Sequence, residues 1–183
     1  IMDLKSGEKK YVTESFESGV DAYCWANDNH TLYFTGVWHA TSMIYQTNLN
    51  GEVKKLTEGD YDYASVALLG EQIITKRHSI SHADEIYTLN PADGNIAQIT
   101  HENDHIFNQL DKIKIEERWI KTTDGKDMLT WVIYPPHFDP SKKYPTLLYC
   151  QGGPQSMVSQ FWSYRWNFNI MASQGYIVVA PNR

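Results

Sequence analysis

The stretch from Lys142 to Arg183, KKYPTLLYCQGGPQSMVSQFWSYRWNFNIMASQGYIVVAPNR, decides how the rest of the chain is read. Pro145 to Cys150 is an apolar run of strand length, and Gln151-Gly152-Gly153-Pro154 follows at once. An aromatic-rich segment runs on to Gln174, and Gly175 introduces a second apolar run, Tyr176 to Ala180. Two continuous apolar runs joined by a helical stretch predict parallel strands buried on both faces, the α/β crossover unit. In such sheets ligands sit at the carboxyl ends of the strands, where the Gly-Gly pair falls.

Upstream, residues 1–105 carry an internal repeat. Ile44-Tyr45 returns as Ile86-Tyr87, Gly51 as Gly94, and Leu56-Thr57 as Ile99-Thr100, each 42 or 43 residues later. Each copy holds strand, glycine turn, strand, as in MIYQTNLNGEVKKLT and EIYTLNPADGNIAQIT. Two further strand-like runs precede each copy. Four short strands in units of roughly 40–45 residues is the spacing of a β-propeller. Asn27-Asp28-Asn29 and Leu69-Gly70-Glu71 supply the inner turns, and Asn50-Gly51 and Asp93-Gly94 the outer ones. The segment KIKIEERWIKTTDGKDMLTWVIYPP, 112–136, reads as a hairpin turned at Asp124-Gly125 and ended by Pro135-Pro136. The fold expected is therefore mixed β and α/β. The last blades of a β-propeller (1–105, the end of one blade plus two blades) precede the N-terminal part of an α/β-hydrolase sheet (106–183).

Composition sets the outer bounds. With 42% hydrophobic and 21% charged residues this is globular material. A net charge of -6 speaks against a nucleic-acid partner. No apolar run approaches the roughly 18 residues of a membrane helix. The chain begins at Ile1, which suggests a piece of a longer protein whose true start is missing, so periplasmic and cytoplasmic locations both fit. Cys24 and Cys150, the only cysteines, are expected to be free, buried thiols.

LLYCQGGPQS followed by RWNFNIMASQGYIVVAPNR resembles the start of the catalytic domain in the prolyl oligopeptidase family of serine peptidases. The branch resembled is that of acylaminoacyl-peptidases and bacterial dipeptidyl-peptidases. The family pattern is an apolar strand, His-Gly-Gly-Pro, a helix, Gly-Tyr-x-Val-Val and an Asn-Arg-Gly turn. Here Gln151 stands where His is usual. The resemblance covers the whole chain, because this family places a propeller before the hydrolase domain.

The resemblance implies a serine exopeptidase or oligopeptidase acting on short peptides, of dipeptidyl- or acylaminoacyl-peptidase type. It implies backbone N–H donation to the oxyanion by Gly153, with Gly152 shaping the loop. The acyl-transfer reaction needs such donors, and glycines leave the backbone open to substrate. Gln151, by amide hydrogen bonding, either holds the loop or touches substrate. Phe161 and Trp162 are candidates for substrate or loop contact, set against packing of the helix on the sheet. No serine lies in G-x-S-x-G; the nearest miss is Met171-Ala172-Ser173-Gln174-Gly175, read as a helix end with Gly175 left-handed. In the family the Ser, Asp and His of the triad come after the Asn-Arg turn, so none is expected in this chain, which alone should be inactive. The partners implied are a peptide substrate and the remainder of the same polypeptide, whose propeller restricts entry.

Neither a metal nor a cofactor is called for. His78-x3-His82 and His101-x3-His105 fall in strand and loop territory, where helical spacing loses its meaning. Glu58, Asp60 and Asp62 read as a solvated turn. Two rival functions remain: a non-catalytic propeller binding module and an esterase on the same fold. The presence of a G-x-S-x-G in the sequence after Arg183 would separate enzyme from binding module.

Overall fold

Glycine-punctuated, β-branched runs such as Thr31 to Val37 favour pleated strands over helix, and the fold is mostly sheet. The computed structural model describes residues 1–153 and 156–182; Pro154, which completes the Gly-Gly-Pro motif, and Arg183 of the Asn-Arg turn lie outside them. The chain divides into two compact units, residues 1–77 with 85–100 and residues 78–84 with 101–183.

The first unit is built on two four-stranded meanders. One comprises β1 (Val20–Trp25), β2 (Thr31–Trp38), β3 (Thr41–Asn48) and β4 (Val53–Lys55), each antiparallel to the next. The short β5 (Asp62–Tyr63) pairs in parallel with β3 through Ser42 and Asp62. The other meander comprises β6 (Ala67–Leu69), β7 (Gln72–Ser79), β8 (His82–Leu89) and β9 (Ile96–Gln98).

The sequence repeat is also a repeat of hydrogen bonds. Thr57 Oγ1 accepts from Ile44 N–H at 2.9 Å, and Thr100 Oγ1 accepts from Ile86 N–H at 2.8 Å. Leu56 N–H donates to Ile44 O at 2.8 Å and Ile99 N–H to Ile86 O at 2.7 Å. The threonine in each copy thus satisfies the strand amide left over where the outer strand peels away, a group that burial would otherwise penalise at Ile44. Gly51 and Gly94 turn the outer hairpins at φ 84° and 77°, values an L side chain rarely adopts. The first meander's core is aromatic: Phe16, Phe34 and Tyr45 meet with ring centroids 4.7–5.4 Å apart. Gly36 admits this, since a Cβ there would lie 2.5 Å from the Phe16 ring.

The second unit holds a four-stranded sheet in the order β10 (Ile115–Lys121), β11 (Asp127–Ile133), β13 (Ile177–Pro181), β12 (Thr146–Leu148). The β10–β11 hairpin turns at Asp124-Gly125, with Gly125 at φ 81°. β11 and β13 are antiparallel, while β12 and β13 are parallel, pairing Leu147 with Val178. The parallel pair anticipated from Pro145–Cys150 and Tyr176–Ala180 is present.

Its burial differs from expectation. β13 alternates buried and half-buried positions, whereas all three residues of β12 are exposed. β12 is the sheet edge among the described residues, paired on one side only, with β13. Cys150, just beyond it, is exposed rather than buried, and Cys24 is half-buried; both are free. The helical stretch is also shorter than expected. After the four-residue α1 (Asp104–Phe107), the only helix among the described residues of this region is α2 (Phe168–Ser173), and described residues 156–167 are irregular. Ser163 Oγ accepts from Arg165 N–H and Trp166 N–H, a side-chain turn that competes with helix, and Asn167 caps α2 by accepting from Asn169 N–H. Gly175 follows the helix at φ 88°, as its position predicts.

Candidate functional site

The glycine loop leaves the carboxyl end of β12 and is anchored on both sides. Before it, Tyr149 N–H extends the parallel ladder by donating to Val179 O at 2.8 Å. After it, Val158 is wholly buried and gripped through both of its backbone groups. Val158 N–H donates to Asn182 Oδ1 at 2.7 Å, and Val158 O accepts from Asn182 Nδ2 and from the indole of fully buried Trp131, both at 3.1 Å. Asn182 of the Pro-Asn-Arg end thereby ties the far side of the loop to the end of β13.

Between these anchors Gly152 and Gly153 are exposed, and among the described residues neither amide has a hydrogen-bond partner. Gly153 sits at φ 134°, where a side chain is strained, while a Cβ on Gly152 would meet nothing within 4 Å. Gln151 Nε2 donates to Ser156 Oγ at 2.8 Å, and Ser156 Oγ donates to Gly152 O at 2.9 Å. Sequence reasoning left Gln151 between loop and substrate; here its amide contacts the loop. Ser156 was not singled out, because nothing in its neighbourhood distinguishes it from the other serines of the segment.

Phe161 and Trp162 are both half-buried. Phe161 meets Phe168 at 5.3 Å and Tyr149 at 6.4 Å, so it packs between α2 and the residue that ends β12. Trp162 stands edge-on to Phe107 at 5.3 Å and to Tyr164 at 5.8 Å, with its indole N–H buried and unpartnered among the described residues. Tyr164 and Trp166, 80% and 53% exposed, reach solvent.

Three histidines of the two spaced pairs, His78, His82 and His101, lie against carboxylates. His78 Nδ1 lies 2.7 Å from Asp84 Oδ1, and His101 Nδ1 lies 2.7 Å from Asp104 Oδ2. His82 Nδ1 contacts Ala83 O at 2.9 Å, its Nε2 faces Asp104 at 3.8 Å, and its ring stacks on Phe107 at 4.2 Å. No group of three or more His, Cys, Asp or Glu residues suited to a metal occurs among the described residues. A cavity of about 560 Å³ beside these groups is lined by His82, Asp104, Phe107, Ile113, Pro136 and Asn169 among others, and by no residue of the glycine loop. Of the acidic trio, Glu58 pairs with Lys55 at 2.7 Å. Asp62 is buried, accepting from Ser42 N–H at 2.9 Å, so it is a sheet element and not part of a solvated turn.

The Glu116 carboxyl lies well below the ordinary carboxylate range. Arg118, Lys114 and the Tyr134 hydroxyl, each at 2.9 Å, hold it down to about 2. This cluster sits on the β10–β11 hairpin and its neighbours and braces the sheet; it includes no group of the glycine loop.

No family model matches the chain. It is 46% identical over 184 residues to dipeptidyl-peptidase 5 of Porphyromonas gingivalis, an alignment covering 100% of this chain and 27% of the relative. Dipeptidyl-peptidase 5 of Porphyromonas endodontalis is 46% identical over 154 residues, covering 84% of this chain and 22% of that protein. The solved acylaminoacyl peptidase of Pyrococcus horikoshii superposes with a TM-score of 0.81 at 25% identity, over 97% of this chain and 27% of that one. The chain thus spans about a quarter of the length of the relatives it matches. The strand, glycine loop and Gly-Tyr-x-Val-Val run that carried the resemblance lie within the first of these alignments, which covers the whole chain, and the chain belongs to the prolyl oligopeptidase family of serine peptidases.

Proposed function

We propose that this chain is part of a serine peptidase that removes dipeptides from the N-termini of short peptides, and that it supplies the oxyanion-binding loop. In this reading residues 1–105 are the last blades of a β-propeller and residues 106–183 open an α/β-hydrolase sheet. The observation that carries it is the glycine loop: two exposed amides, without partners among the described residues, at the carboxyl end of a strand paired in parallel. Attack on a peptide carbonyl places negative charge on its oxygen. A preformed N–H aimed at that oxygen stabilises the transition state more than the ground state. Gly153 would supply one donor and Gly152 would shape the approach. The nucleophile, its general base and the orienting carboxylate would come from the remainder of the polypeptide.

The identity to dipeptidyl-peptidases 5 supports the dipeptidyl form over the acylaminoacyl form. The experiment is a substrate panel on the full-length protein: dipeptidyl, N-acetyl-aminoacyl and simple ester fluorogenic substrates, with and without a fluorophosphonate. Fluorophosphonate-sensitive turnover of the dipeptidyl substrates is the expected result. No turnover of any of the three would leave the non-catalytic binding module in its place, and ester turnover alone would favour the esterase.

A further inference from the structure

We propose that Ser156 is a positioning residue that sets the direction of the Gly153 amide, with Gln151 bracing it. This rests on the peptidase reading above. The peptide unit joining Gly152 to Gly153 is planar and trans, so its C=O and its N–H point in opposite directions. Whatever fixes Gly152 O therefore fixes the aim of Gly153 N–H. Ser156 Oγ donates to Gly152 O at 2.9 Å, on the face of the peptide away from the amide.

A Gly-Gly junction needs such a hold. The two torsions that flank this peptide belong to residues without Cβ atoms, so the plane can swing with little steric resistance. Gly153 at φ 134° and the open space around Gly152 show that no side chain of its own confines the plane. The Tyr149 and Val158 anchors hold the ends of the loop, several residues from the peptide in question. Among the described residues, Ser156 is the side chain that reaches it. Gln151 completes the arrangement: its Nε2 donates to Ser156 Oγ at 2.8 Å, so the hydroxyl accepts from one side and donates to the other. A hydroxyl whose lone pair is engaged is the stronger donor, and its hydrogen is directed at the carbonyl. This gives Gln151, standing where the family pattern has His, a role in bracing the loop.

The test compares Ser156→Ala, Ser156→Thr, Gln151→Ala and the Ser156→Ala/Gln151→Ala double variant in the full-length protein. Ser156→Ala is expected to lower kcat on a dipeptidyl substrate by about 5- to 30-fold, with KM within about twofold and the thermal midpoint unchanged. Ser156→Thr, which keeps the hydroxyl, should restore most of the rate. Gln151→Ala should lose less than Ser156→Ala, and the double variant no more than Ser156→Ala alone, because both act on one bond. An unchanged kcat in Ser156→Ala, or a loss that Thr does not rescue, overturns the proposal. A crystal structure of Ser156→Ala judges it without reference to activity. A rotated or multiply oriented Gly152–Gly153 peptide supports it, and an unmoved one overturns it. Absence of turnover by the wild type would instead count against the peptidase reading, leaving Ser156 to be judged by that structure.

Discussion

Gly152 and Gly153 are neighbours with different requirements, and this makes them separable by substitution. A methyl at Gly152 meets nothing within 4 Å and its φ is not in the left-handed region, so Gly152→Ala should fold normally. At Gly153 the φ of 134° penalises any side chain, and relaxing it turns the amide away. In the full-length protein, kcat should fall by roughly 10²-fold or more in Gly153→Ala, in line with loss of one oxyanion donor, and by much less in Gly152→Ala. Equal losses in the two variants would argue against Gly153 as the donor. Glu116 gives a second residue-scale expectation. Its carboxyl is held at about 2 against an ordinary 4.5, first by Arg118 and then by Lys114 and Tyr134. A carboxyl depressed in the folded state stabilises above its unfolded value and loses that contribution as pH falls toward the folded one. Urea midpoints of wild type and Glu116→Gln should thus differ at pH 6 and converge as the pH approaches 2. A difference that is constant with pH would show that the ion pairs are not its source.

At the scale of elements, what could be read in the sequence was what local chemistry dictates. Asp124-Gly125 between alternating runs sets a hairpin turn, and Gly175 after Gln174 sets a helix end, because few residues tolerate those torsions. The 42–43-residue repeat was legible since the same threonine, at Thr57 and Thr100, meets the same strand amide in each copy. Less legible was anything set by partners distant in sequence. The exposure of β12 depends on what packs over its faces, and apolar composition alone suggested burial on both. The short α2 reflects Ser163 and Asn167 side chains competing for backbone amides across a segment whose aromatics suggested helix. Asn182 joins elements 24 residues apart, holding Val158 by both backbone groups. Asn182→Ala leaves the Val158 N–H unpaired and its carbonyl with the Trp131 indole alone, and should cost about 1–3 kcal/mol, read as a lower urea midpoint in the full-length protein. An unchanged midpoint would mean that Trp131 alone suffices to hold the segment.

For the whole molecule, the chain divides into two compact units, with one detail that composition did not suggest: residues 78–84 group with the second unit. Within that unit both sides of the Ile80 peptide are taken up, its N–H by Gln160 Oε1 at 3.2 Å and its O by Asn169 Nδ2 at 2.8 Å. No periodicity announces such a bond, because it joins residues 80 and 89 positions apart. Of the loop, the place of the glycine pair after β12 was legible, since glycines admit torsions and close approaches that side chains block. The Gln151–Ser156 brace was not, because it depends on where the loop folds back. The central claim is that the Gly153 amide faces the carbonyl oxygen that gains charge. The most direct measurement is a crystal structure of the full-length protein carrying a covalent boronate or fluorophosphonate on its nucleophile. The account predicts an adduct oxygen about 2.7–3.1 Å from Gly153 N. An adduct oxygen bound by other groups, with Gly153 N–H directed elsewhere, would contradict it.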